Sequence, residues 1–102
     1  MGQVMYLTPY TEGADIHSLI RVKEADVAPT LVVIEAFVGG MLTHTRGTFR
    51  GRPVSMYCDD NGCSRGLPPN VWATWMYHGG RVPEGGWVIL GPVVALQGFP
   101  GI

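Results

Sequence analysis

Charge is what this sequence has least of. Asp, Glu, Lys and Arg make up only 15% of its 102 residues, where an average soluble domain has roughly a quarter. Seven basic residues against eight acidic ones leave a net charge of −1, so the chain is not expected to hold nucleic acid by neutralising phosphates. It also lacks any apolar run near the roughly eighteen residues of a membrane-spanning helix. The opening MGQVMYLTPY has no basic region followed by a long apolar one, and Tyr6 stands where a myristoylation signal has Ser or Thr. A cytoplasmic protein with no membrane attachment is the expectation. A phosphate loop ending in Gly-Lys-Ser or Gly-Lys-Thr is missing, and no Ser-His-Asp or Cys-His arrangement has local support. No catalytic residues are assigned, and no cofactor is expected.

What is present is apolar. Hydrophobic residues make up 46% of the chain, enough for one core, and the size is that of one domain spanning residues 1–102. So little charge over so much apolar side chain predicts a surface inclined to self-association. The 15 glycines and 8 prolines fall between apolar runs, where they act as turns and caps.

Taken in order, residues 3–10 alternate weakly and predict a first strand. Residues 16–23, IHSLIRVK, put Ile16, Ser18, Ile20 and Val22 on one face, predicting a half-buried strand hairpinned to the first. Within residues 26–40, Val27, Leu31, Ile34 and Val38 have helical spacing, Asp26 or Thr30 can cap, and Gly39-Gly40 can end the helix. Apart from Glu35 this helix is apolar nearly all round, which predicts burial against a sheet.

From Met41 to Arg50 the polar positions His44, Arg46, Thr48 and Arg50 share one parity, the period of a strand. Arg52 is expected to continue that row as a cationic stripe, Gly51-Arg52-Pro53 to break the strand, and VSMYC to resume it as the partner. Asp59-Asp60-Asn61-Gly62 is the strongest turn signal, and Asn70 caps a short helix, VWATWMYH, ending at Gly79. Trp72, Trp75 and Met76 fall together on that helix. WVILGPVVAL, residues 87–96, predicts a strand covered on both faces, and residues 97–102 a loose tail. The sum is an α+β fold: a small, mostly antiparallel sheet of about five strands and two short helices, one packed on the sheet.

Cys58 and Cys63 lie across the predicted turn. Only His44 and His78 could complete a zinc set with them, at irregular spacing, so two reduced thiols are expected and no metal. Asp59 and Asp60 lack the distal Glu of a common calcium loop and are expected to form the turn. An enzyme would need a deep pocket enclosing Asp59, Asp60 or His78.

Several motifs together resemble a known family. Val38-Gly39-Gly40 after a helix, CDDNGCSRGLPPN as an acid-rich turn running into Gly-Leu-Pro-x-Asn, and Gly91 before an apolar strand are similar to the small phage, plasmid and actinobacterial proteins of domain-of-unknown-function family 3846. The likeness covers roughly residues 30–97. The Arg-rich strand and the second cysteine depart from the family pattern. What the resemblance implies is an α+β fold and a mobile-element origin, with no catalytic residues to carry over.

Two functions follow as expectations. The first is a non-enzymatic accessory protein, encoded by a phage or mobile element, that binds a host protein through exposed aromatic surface and forms a homo-oligomer. The second is a protein that binds or sequesters a small anionic ligand such as a nucleotide. There His44, Arg46, Arg50 and Arg52, with Arg65 as a further candidate, would grip phosphate, while Trp72, Trp75 and Tyr77 stack a base.

Overall fold

The structure is a computed structural model and describes residues 1–100. One five-stranded sheet forms its middle, in the order β2-β1-β5-β4-β3, with every neighbouring pair antiparallel. The strands are β1 (Gly2–Leu7), β2 (Ile20–Ala25), β3 (Leu42–Phe49), β4 (Arg52–Asp59) and β5 (Val93–Gln97), and the helices are α1 (Leu31–Val38) and α2 (Val71–Tyr77). This is the expected α+β class. Both helices pack on the sheet rather than one, and they take opposite faces.

Strand alternation explains the two cores. On one face Met5, Leu7, Val54, Met56, Cys58, Val93 and Ala95 meet Ala73 and Met76 of α2. On the other, Val4, Val94 and Leu96 meet Ile34 and Val38 of α1. All five residues of β5 are buried, as the apolar run Val93 to Leu96 requires of a central strand covered on both sides.

Helix α1 joins β2 at one edge of the sheet to β3 at the other. Eight residues give it a length of about 12 Å, while four strand spacings come to about 19 Å, so residues 26–30 and 39–41 supply the rest of the crossing. Thr30 caps it by accepting from the Val33 N–H, and Gly39, at φ 80°, ends it with its N–H donated to the Glu35 carbonyl. It is not buried all round. Only Ile34, Val38 and part of Phe37 reach the sheet, and Val32 remains 77% exposed, because a helix laid on the outside of a sheet has one covered side; Val27, expected in the helix, lies before it and is 80% exposed.

Other expectations need correction. Residues 16–19 form a short 3₁₀ turn, not the start of a strand: Asp15 accepts from the His17 N–H and the Asp15 carbonyl from the Ser18 N–H and hydroxyl. β2 therefore begins at Ile20 and pairs with β1 across a long connection. The break between β3 and β4 is Arg50-Gly51, at φ 53° and 76°, a two-residue turn of the kind that matches strand twist, and Arg52 and Pro53 already belong to β4.

The last strand starts only at Val93, since Gly91 stands at φ 85° and Pro92 cannot donate to a ladder. Residues 97–100 are no loose tail: Gln97 ends β5, its amide donates to the Phe49 and Arg52 carbonyls, and Phe99 is buried against Gly2. The remainder of the expected tail, residues 101–102, lies outside the described residues. Among the described residues no helix is long and apolar enough to cross a membrane.

Candidate functional site

Two concave features flank α2, and both depend on how Asn70 starts it. Asn70 is fully buried. Its side-chain oxygen accepts from the Ala73 N–H at 3.0 Å, while its amide donates to the Leu7 and Gly91 carbonyls at 2.8 and 2.9 Å. One side chain thus caps α2, ties it to the end of β1 and fixes the approach to β5. The helix turns Ala73, Thr74 and Met76 inward and leaves Val71, Trp75 and Tyr77 exposed, with Trp72 half-buried.

The first feature is an apolar groove of about 250 Å³ lined by Ile16, Val71, Trp72 and Trp75. The Trp72 indole N–H donates to the Ile16 carbonyl at 2.7 Å, which sets the 3₁₀ turn against the helix and satisfies that indole. The aromatic residues continue as a row. His17 lies 6.4 Å from Trp72, Trp72 lies 6.0 Å from Trp75, Trp75 lies 6.3 Å from Phe49, and the Arg50 guanidinium sits 5.1 Å above the Phe49 ring.

The second feature is a half-open cleft of about 420 Å³ at the β3 edge. Thr43, His44 and Thr45 form one wall, Cys58 to Asp60 with Gly62 and Cys63 another, and Tyr77 with Trp87 to Leu90 the third. The His78 ring nitrogen Nε2 lies 2.7 Å from the Trp87 carbonyl and so holds the 87–90 segment to the end of α2. The Asp59 carboxylate is buried and engaged twice, by the Arg65 guanidinium and by the Asn61 N–H. It shapes the turn, as expected of it.

Asp60 is exposed, and among the described residues no cation pairs with it. Cys58 and Cys63 are both free thiols, one buried and one exposed. Burial pushes the Cys58 thiol above its ordinary value, and the charges of Asp59 and Asp60 push it further. Among the described residues no group of three or more His, Cys, Asp or Glu side chains could hold a metal ion.

The predicted site residues do not form one site. His44 and Arg46 point to the α1 side of β3, where His44 lies 5.1 Å from Tyr57. Arg52 pairs with Phe49 and so takes the α2 side, because the two-residue turn brings residues 49 and 52 to the same face. Arg50 occupies the turn itself, and Arg65 is bound to Asp59. Arg50 joins Trp72 and Trp75 in the aromatic row, whereas Tyr77 goes to the cleft with His44.

Sequence reasoning did not single out Trp87, because it placed that residue inside the last strand. Its distance from the Gly91-Pro92 break is the local signal that it precedes the strand. No protein-family model, curated protein or solved structure matches the chain.

Proposed function

We propose that the protein is a non-enzymatic binding protein whose apolar groove beside α2 receives an apolar side chain of a protein partner. The observation that carries this reading is the lining: Ile16, Val71, Trp72 and Trp75 supply wide apolar contact, and the Trp72 indole N–H is already bonded within the chain. Such a groove has nothing polar with which to orient a small ligand, but it suits a residue held in place by a protein of its own. Tryptophans anchored on a helix lose little conformational freedom on binding, which favours them as contact residues.

The resemblance of the 38–91 motifs to a mobile-element family makes a bacterial host protein the proposed partner, in the host cytoplasm. Self-association is proposed through the outer side of α1, where Leu31, Val32 and Val33 are exposed, with Val27 exposed in the segment before it. The small anionic ligand has less support, since the arginines divide between the two faces of the β3–β4 hairpin. An enzyme has less still: although Asp59 and Asp60 both line the cleft, Asp59 is held by Arg65, so no free pair of carboxylates is available for acid and base roles.

Affinity purification from a lysate of the host bacterium tests the reading. One stoichiometric partner at near-physiological salt is the expected result, and its absence would count against a host-protein target.

A further inference from the structure

The cleft at the β3 edge lies apart from the proposed partner groove and has a chemistry of its own. We propose that it binds a small organic cation, a primary amine carried on an apolar or aromatic body. Its volume of about 420 Å³ falls in the range of small-molecule sites, roughly 300–1,000 Å³.

Charge decides the sign of the ligand. No lysine or arginine is among the lining residues. Asp59 is neutralised by Arg65, and Asp60 contributes a carboxylate with no partner cation among the described residues. The lining therefore carries a net negative charge from Asp60. A phosphate or carboxylate would enter against that charge with no fork to grip it, whereas an ammonium gains the Asp60 carboxylate, with the Thr43 and Thr45 hydroxyls on the neighbouring strand as further acceptors.

The third wall suits the apolar half of such a ligand. There Ile89 is buried and lines the cleft beside the exposed Val88 and the half-buried Leu90. Trp87 is 71% exposed, an indole left in water on a segment fixed through its own carbonyl to His78. Such a ring at the mouth of a negative cleft, together with Tyr77 in the same lining, offers π faces to a cation or to an aromatic body.

Three isosteric probes separate charge from shape: 2-phenylethylamine, 2-phenylethanol and phenylacetate, each titrated into nitrogen-labelled protein by NMR. The amine is expected to shift the Trp87 indole and the Thr43 and Thr45 amides saturably, leaving the Trp72 indole unmoved. The alcohol is expected to bind at least about tenfold more weakly and the acid not at all. Asp60→Asn, an isosteric change at an exposed position, is expected to erase the amine's advantage while leaving the melting temperature unchanged. Equal binding of amine and alcohol, preference for the acid, an advantage that survives in Asp60→Asn, or no shift at Trp87 up to about 10 mM amine would each overturn the proposal.

Discussion

Asn70 and Cys58 show how much single residues carry in so small a molecule. Replacing Asn70 by Ala removes the cap of α2 and leaves the Leu7 and Gly91 carbonyls without their buried donor. Loss of the cap costs about 1 kcal/mol and each of the two stranded carbonyls about 1–3 kcal/mol, so a total loss of about 3–7 kcal/mol is expected in urea unfolding. Asn70→Asp keeps the cap oxygen but sets a carboxylate against two carbonyls, and it should recover little of that loss.

Cys58 makes stability depend on pH with a definite sign. Its folded pKa is raised, first by burial and then by Asp59 and Asp60, so the native state holds its proton after the unfolded chain has released it. The contribution is complete below the unfolded thiol's pKa of about 8.5 and is lost as pH climbs toward the folded value, by at most about 1.4 kcal/mol per pH unit. Urea midpoints between pH 7.5 and 10 should therefore fall more steeply for the wild-type chain than for Cys58→Ala. Parallel slopes would show that Cys58 is not the group responsible. With a disulfide-exchange reagent at neutral pH, the exposed Cys63 should react fast and Cys58 slowly.

Among the elements, those whose signals are local were legible in the sequence. Thr30 and Gly39 bound α1, Asn70 starts α2, and the alternation around His44 and Arg46 gives β3, all within a few residues of the signal. Misreadings arose where two local signals competed. Ile16, Ser18, Ile20 and Val22 alternate like a strand, yet the Asp15 cap turns residues 16–19 into a 3₁₀ segment first. Arg52 follows the parity of Arg46 only if the strand runs on, and the Arg50-Gly51 turn reverses it.

The close approach of β3 to α2 gives a test at this scale. A Cβ at Gly47 would stand 2.6 Å from the Met76 carbonyl oxygen and 2.8 Å from the Met56 methyl group. Gly47→Ala should cost about 1–3 kcal/mol in urea unfolding, through overpacking, and should shift the Trp75 environment seen by near-ultraviolet circular dichroism. Stability within error of wild type would mean that α2 is free to slide.

At the scale of the whole molecule, the placement of β5 between β1 and β4 and of the two helices on opposite faces could not be read in advance. Both follow from pairings between residues far apart in the chain, such as Tyr6 with Val94 and Tyr57 with Val94, for which no local pattern stands proxy. The cleft was hidden for the same reason: its walls come from β3, β4, the turn after β4, the end of α2 and the segment before β5. The groove was half visible, since Val71, Trp72 and Trp75 share a helix, while Ile16 joins them only through tertiary contact.

The central claim, that the groove beside α2 is where a protein partner docks, is tested most directly by the dissociation constant of the recovered partner for the wild-type chain and for Val71→Asp. Position 71 is the first residue of α2, where a carboxylate is compatible with the helix dipole, so the variant should fold with an unchanged melting temperature. A charge buried without a partner in that groove should weaken binding at least about a hundredfold, close to 2.7 kcal/mol. An affinity equal to that of the wild type, in a folded variant, would contradict the account.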